Sequence, residues 1–323
     1  MNRWLLRRSA EALLTTFVAV VVLDLLLHLL PGDPVAAILQ DFPVDAATDA
    51  AVRLRYGADV PIATAIIDFL RGLARGDLGF SLSEQRAVST VLAERLGPTV
   101  LLGSLTLLVD FTIGLALGVW SALHPGTWRS RILGALTLVG YTLPSFVIGM
   151  VLVWIFGVRL AWLPTSDISS QLLPLDANAI AVLLDRVRHL VLPLATLVIA
   201  TIAVPFRQQR AAALATATQP WVLAARARSV SPGLIAWRHC WRPALTPIVT
   251  LFGLWLPMVV AGAVFVEALF NWPGVGLLIT QATVTRDVPL VMGAGLLLIV
   301  MVQLGSLLAD VLYQFVNPAQ RAR

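Results

Sequence analysis

Six stretches of this 323-residue chain, roughly 9–30, 99–122, 132–157, 189–205, 244–270 and 290–316, are each apolar for about the length of a bilayer-crossing helix. That repeated length constrains the fold more than any other feature. The hydrocarbon core of a bilayer is about 30 Å thick, and a helix rising about 1.5 Å per residue needs about 20 apolar residues to cross it. None of the six stretches alternates with period two, so the pattern predicts helices and not barrel strands. The chain is 58% apolar and only 13% charged, more apolar than a single water-soluble core can bury. The expected fold class is an all-α integral membrane protein with six transmembrane helices. The first stretch is too long and too polar-flanked for a cleaved signal peptide, and Pro31-Gly32-Asp33-Pro34 follows it where small residues would mark a cleavage site. It is expected to be retained as a helix.

Six spans place both termini on one side. With residues 1–8, 123–131, 206–243 and 317–323 inside, the inner segments hold 13 Arg in 62 residues and no acidic residue. The outer segments 31–98, 158–188 and 271–289 hold 10 Arg and 13 acids in 118 residues. Arginine is thus more than twice as dense on the proposed inside, the bias expected of cytoplasmic loops. Both termini are expected in the cytoplasm, in a prokaryotic cytoplasmic membrane. This bias also accounts for the basic balance of the chain without a nucleic-acid partner.

Three divisions follow: 1–30 as a first transmembrane helix, 31–98 as a helical extracytoplasmic insertion, and 99–323 as a five-helix core. Within the insertion, Pro61 opens an amphipathic stretch with Ile62, Ile66, Phe69, Leu70 and Leu73 on one face. A second helical stretch, 87–97, presents Val88, Val91, Leu92 and Leu96, and Ser81-Leu82-Ser83-Glu84 before it has the spacing of a capping box. Pro144 is expected to kink the third span, Pro193 and Pro205 the fourth, and Pro247 and Pro257 the fifth. Gly114 and Gly118 form a GxxxG surface suited to close helix packing.

Catalytic chemistry finds little support. The chain has no Lys, which excludes a Walker A phosphate loop and Schiff-base catalysis. Its one cysteine, Cys240, allows no internal disulfide and no Cys-rich zinc site. His28, His124, His189 and His239 fall on different segments and both sides of the bilayer, so no metal site and no bound cofactor are expected. Asp24, Asp110, Glu267 and Asp310 lie inside spans but toward helix ends. Charged residues in spans are costly and become candidates by default, with interfacial snorkelling or pairing as the alternative.

The basic inner segment 206–243 is the most unusual. Pro220 suits the first turn of a helix and Ser231-Pro232 its end, enclosing Trp221-Val222-Leu223-Ala224-Ala225-Arg226-Ala227-Arg228-Ser229. A small Ala face bounded by Arg226 and Arg228 can enter a cleft on another protein, or the loop can rest on anionic lipid. Trp237 and Trp241, one turn apart, suit a membrane interface.

Several motifs, in order along the chain, resemble one family. They are Leu30-Pro31-Gly32-Asp33-Pro34, Arg75-Gly76-Asp77-Leu78-Gly79-Phe80-Ser81, the run from Glu267 through Asn271, Trp272, Pro273 and Gly274 to Gly276, Arg286-Asp287-Val288-Pro289, and Asp310 to Tyr313 followed by Asn317-Pro318. Together they resemble the membrane permease of dipeptide and oligopeptide ABC importers, in the type I importer fold. The resemblance implies a first permease subunit that is not itself an enzyme. It also implies a second homologous permease, two ATPase subunits or one fused ATPase holding ATP and magnesium, an extracytoplasmic solute-binding protein and a peptide substrate. Permeases for nickel chelates or glutathione share these motifs. An intramembrane hydrolase or a self-contained channel is the reading from other classes.

The resemblance further marks the inner helix as the ATPase-coupling element, with Trp221, Leu223, Ala224, Ala225, Arg226, Arg228 and Ser229 as its residues. On this reading Trp221 and Ala225 share the side that enters the ATPase cleft. The family's usual Gly is Ser229 here, which penalises a left-handed turn. Glu267, Asn271, Trp272, Pro273, Gly274 and Gly276 are candidates for an outer gate, with Glu267 holding the turn by hydrogen bonds.

Overall fold

The computed structural model describes residues 2–29, 45, 62–170, 174, 177–241, 244–245, 248, 251–252, 255 and 263–316. The motifs at 30–34 and 317–318, Pro247, Pro257 and most of the fifth expected span lie outside them. The chain divides into two compact units, Met1–Thr99 with Pro273–Gln303 and Val100–Trp272 with Leu304–Arg323. Among the described residues three helices are long and apolar enough to cross a membrane, at Leu6–Leu27, Val88–Leu123 and Val288–Leu308, and two bent pairs qualify when each is taken as one span.

In the first unit, the helix Val88–Val109 turns Val88, Val91 and Leu92 onto Val275, Leu278, Ala282, Leu290, Val291 and Ala294, forming one buried cluster. Each such side chain contributes about 1.5–3 kcal/mol when fully buried. Gly293 makes this packing possible, because a Cβ there would lie 2.4 Å from Val88 Cγ1. A second cluster joins Val20 of the Asn2–Leu29 helix to Met292 and Leu296. Phe69 and Leu73 of the Ile62–Ala74 helix pack on it, so part of the expected amphipathic face is turned inward.

Two expectations about this unit are corrected. Ser81–Glu84 does not cap a helix. It forms the tip of a small hairpin in which Phe80–Ser81 pairs antiparallel with Arg86–Ala87, and the helix starts only at Val88. The helical stretch expected at 87–97 and the span expected from residue 99 are one helix. The helix runs from Val88 through Pro98 to Val109 and continues, through a π-helical turn at Asp110–Gly114, to Leu123. The boundary expected at 98/99 therefore falls inside one helical element.

In the second unit, Thr127 caps the Trp128–Thr142 helix by accepting a hydrogen bond from the Ser130 N–H at 3.3 Å. Pro144 does more than kink this span. Leu143 is extended at ψ 139°, as a residue before proline prefers, and the following Ser145–Arg159 segment leaves at 109°. Pro193 sits inside the unbroken Ala179–Thr201 helix. The 45° bend falls beyond Thr201, and Pro205 occupies the first turn of Ala203–Ala217, where no intrahelical donor is required.

The GxxxG surface is used within the chain. A Cβ at Gly114 would stand 3.0 Å from Ile202 Cγ1, and one at Gly118 only 2.6 Å from the Phe206 carbonyl oxygen. The Ala203–Ala217 helix thus sits directly on Leu115–Leu123, with Phe206, Gln209 and Ala213 buried on its inner side.

Candidate functional site

The inner segment forms the helix Pro220–Ala227, with proline in its first turn. Val222 and Ala225 are buried with Ile235 and Cys240, and Leu123, Ala217 and Val230 pack around them. Trp221 and Leu223 are about half exposed, at 51% and 52%, and Ala224, Arg226, Arg228 and Ser229 are exposed as well. The expected face is therefore corrected: Ala225 points into the protein, and the free side is carried by Trp221, Leu223 and Ala224. The buried stripe is set by which residues meet Ile235 and Cys240, which helical spacing within eight residues leaves open. Burial pushes the Cys240 thiol up, with Arg226 opposing the shift, so this thiol is a packing group with low reactivity.

The end of this helix answers the question posed by Ser229. The residue adopts φ +57°, so the left-handed turn is made despite the missing glycine. The Ser229 N–H donates to the Arg226 carbonyl at 3.0 Å and the Val230 N–H to the Ala225 carbonyl at 3.2 Å. These are the paired bonds of a Schellman motif.

The outer run from Glu267 is built in two parts. Residues 263–269 are helical, and the Trp272 N–H closes the helix end on the Glu267 carbonyl at 2.9 Å, with Asn271 at φ +49°. Trp272 and Phe270 are buried among Leu102, Leu192, Leu197 and Val266, and the Glu267 side chain is fully buried. Asp167 completes this turn: its N–H donates to the Phe270 carbonyl at 2.8 Å, and its carboxylate accepts from the Asn271 amide. Its own φ of +67° is a conformation Asp tolerates better than most residues, but nothing in the surrounding sequence assigns it to Asn271. Pro273, Gly274 and Gly276 begin the Val275–Val284 helix, and Gly274 and Gly276 are buried. The helix N-terminus is capped from a distance, the Val275 N–H donating to Thr99 Oγ1 at 2.8 Å.

Two of the family-like motifs meet in a cluster that sequence reasoning missed. Asp287 is fully buried, and one of its oxygens accepts from Ser81 Oγ at 2.6 Å, Ser83 N at 2.9 Å and Ser83 Oγ at 2.8 Å. Its other oxygen accepts from the Leu290 N–H at 3.2 Å, which caps the final helix Val288–Val316. The motifs around Ser81 and Asp287 are thus two halves of one polar lock.

The remaining intramembrane candidates are dispersed. Asp24 is buried in the first unit. Asp110 is buried at the start of the π-helical turn beside Thr201 and Trp255, and its oxygens have no hydrogen-bond partner among the described residues. Asp310 is partly buried in the final helix. Among the described residues no three His, Cys, Asp or Glu side chains come together as a metal site. His189 is bound to its neighbour, its Nδ1 lying 2.8 Å from the Asp185 carbonyl, and His124 stacks on Trp120.

Comparison with known proteins gives one consistent result. Residues 114–322 match the family described as binding-protein-dependent transport system inner membrane component. A Brucella ovis protein provisionally named a peptide permease is 35% identical over 322 residues, covering 98% of each chain. The di/tripeptide transport system permease protein DppB of Pseudomonas aeruginosa is 34% identical over 97% of each chain. The glutathione transport system permease protein GsiC of Pectobacterium atrosepticum is 34% identical over 99% of each. A solved chain of the MetNI methionine ABC transporter, in an inward-facing conformation, shares the fold at TM-score 0.53 and 18% identity, over 71% of this chain and 97% of its own.

Proposed function

The chain belongs to the inner membrane components of binding-protein-dependent transport systems, and from that premise we propose that it is the first of two permease subunits of an ABC importer for di- and oligopeptides. End-to-end similarity to permeases named for peptides carries this reading. The subunit is not itself an enzyme. A second homologous permease completes the path, two ATPase subunits or one fused ATPase bind ATP and magnesium, and an extracytoplasmic binding protein delivers the solute. Both termini and the helix Pro220–Ala227 face the cytoplasm, and residues 31–98 face outward. The glutathione permease, equally similar over its whole length, supports a second substrate reading for the same machine; competition between glutathione and dipeptides for uptake separates the two.

In this role the helix Pro220–Ala227 docks on the ATPase and transmits its closure to the bundle as a rigid lever, biasing a two-state path. Trp221 and Leu223 supply the apolar contact, and Arg226 and Arg228 border it. The Asn271–Gly276 turn serves as part of the outer gate, with Glu267 as its buried support. Leu223→Asp places a carboxylate at the centre of the docking face while sparing the buried Val222–Ala225 side. Such an anchor is worth about 2 kcal/mol or more, so ATPase co-purification and peptide uptake are expected to fall at least about tenfold, with membrane insertion retained. Normal ATPase retention and normal uptake in this variant would overturn the docking assignment.

A further inference from the structure

A cleft of about 540 Å³ opens beside the Ala203–Ala217 helix, lined by Tyr141, Ala203, Val204, Arg207, Gln208, Arg210, Ala211 and Leu214. Ala203, Arg207, Arg210 and Leu214 follow helical spacing, so they form one stripe, about a quarter turn from the side that Phe206 and Gln209 set against Gly118. Arg207 and Arg210, three residues apart, have their Cβ atoms about 5–6 Å from each other. Neither makes an ion pair with a described carboxylate, and residues 206–243 contain no acid at all.

The helix is the second half of a bent pair apolar and long enough to cross a membrane. Arg207 and Arg210 stand at its inner end, within the segment 206–243 expected to face the cytoplasm, where an arginine can reach water or headgroups. Snorkelling does not account for Arg210, whose Nε is enclosed and has no hydrogen-bond partner among the described residues. Two guanidinium forks, a phenol and an amide around a space of this size suit a small anion, and a carboxylate matches the fork geometry.

We propose that Arg207 and Arg210, with Gln208 and Tyr141, form a site that holds the carboxylate of a solute passing through the permease. This rests on the reading of the chain as a peptide permease and names the part of the substrate it holds. The Gly118 contact keeps the helix from yielding, so the two cations are presented on a rigid face. A solute arriving with its carboxylate forward is drawn to this helix, and one whose carboxylate is blocked is not.

Two measurements on the assembled transporter test the site. In a Cys240→Ala background, Ala211→Cys places a thiol in the cleft, to be labelled with methanethiosulfonates bearing either a sulfonate or a trimethylammonium group. The sulfonate reagent is expected to be favoured, and the preference is expected to fall several-fold in R207Q/R210Q but persist in R207K/R210K. An unchanged preference would overturn the cationic site, and this arm does not depend on peptide transport. In the second arm, uptake of the dipeptide Ala-Ala is compared with that of its C-terminal amide. R207Q/R210Q is expected to reduce the preference for the free acid about tenfold or more, as the loss of charge-assisted bonds implies. An unchanged preference, together with loss of co-purified anionic lipid, would assign the arginines to a lipid headgroup instead. Failure of the peptide reading shows separately, as wild-type complex that carries neither form while the labelling preference still reports on the cleft.

Discussion

Among the described residues, four helix ends close through a residue with positive φ whose successor bonds five positions back, and only one of those four is glycine. Gly76, Ser229, Asn271 and Arg286 stand at +77°, +57°, +49° and +56°. In each the residue after it donates back to the carbonyl five positions earlier, as Asp77 does to Gly72 and Asp287 to Ala282, both at 2.9 Å. An ordinary side chain in this conformation costs roughly 1 kcal/mol, and asparagine less. The bonds outweigh that cost at Ser229, which is why the turn survives the departure from the family's glycine. Ser229→Gly is therefore expected to stabilise this turn by roughly 1 kcal/mol, read as about fivefold slower hydrogen exchange at the Val230 amide. Unchanged exchange would mean that the strain is relieved some other way. The residue's importance was legible in the sequence, since a missing glycine at a helix end raises the question; its φ was not, because neighbours decide whether strain is tolerated.

At the scale of elements, the lock between the hairpin and the final helix has the largest expected effect. Asp287 serves the hairpin through three donors and the helix through one. Asp287→Ala removes a helix cap worth about 1 kcal/mol and leaves the buried Ser81 hydroxyl without its acceptor, a further 1–3 kcal/mol or so. The expected outcome is a loss of about 2–4 kcal/mol in the first unit, seen as faster proteolysis around residues 80–87, with Asp287→Asn intermediate. Proteolysis at the wild-type rate in Asp287→Ala would remove the lock from the account. Sequence spacing assigned Ser81 to Glu84, and the Glu84 N–H does donate to Ser81 Oγ at 3.1 Å. The stronger partner lies 206 residues away, beyond the reach of any local pattern. The same limit applies to Asp167 and Asn271.

For the whole molecule, the arginine distribution makes a directional prediction about the membrane. Cys240 is buried, so a Cys240→Ala background costs little polar satisfaction, and single cysteines at Asp45 and at the exposed Ser231 report the two sides. An impermeant thiol reagent applied to intact cells is expected to label the Asp45 site and spare the Ser231 site until the membrane is opened. Labelling at Ser231 in intact cells would reverse the topology.

Helical class, the long apolar segments, the basic inner segment and the family were all determined by the sequence alone. Each depends on quantities summed along one segment, such as apolar length, helical spacing, charge density and ordered motifs, and none requires knowing what that segment touches. Only the tertiary structure decided that Ala225 faces inward while Leu223 stays free, and that Pro144 breaks a span that Pro193 leaves intact. It also decided that Gly118 seats the helix carrying Arg207 and Arg210. These outcomes turn on which surfaces meet. A helix within a bundle rotates, bends or breaks to satisfy its neighbours, and energies of a few kcal/mol contributed by distant residues override what its own few turns prefer.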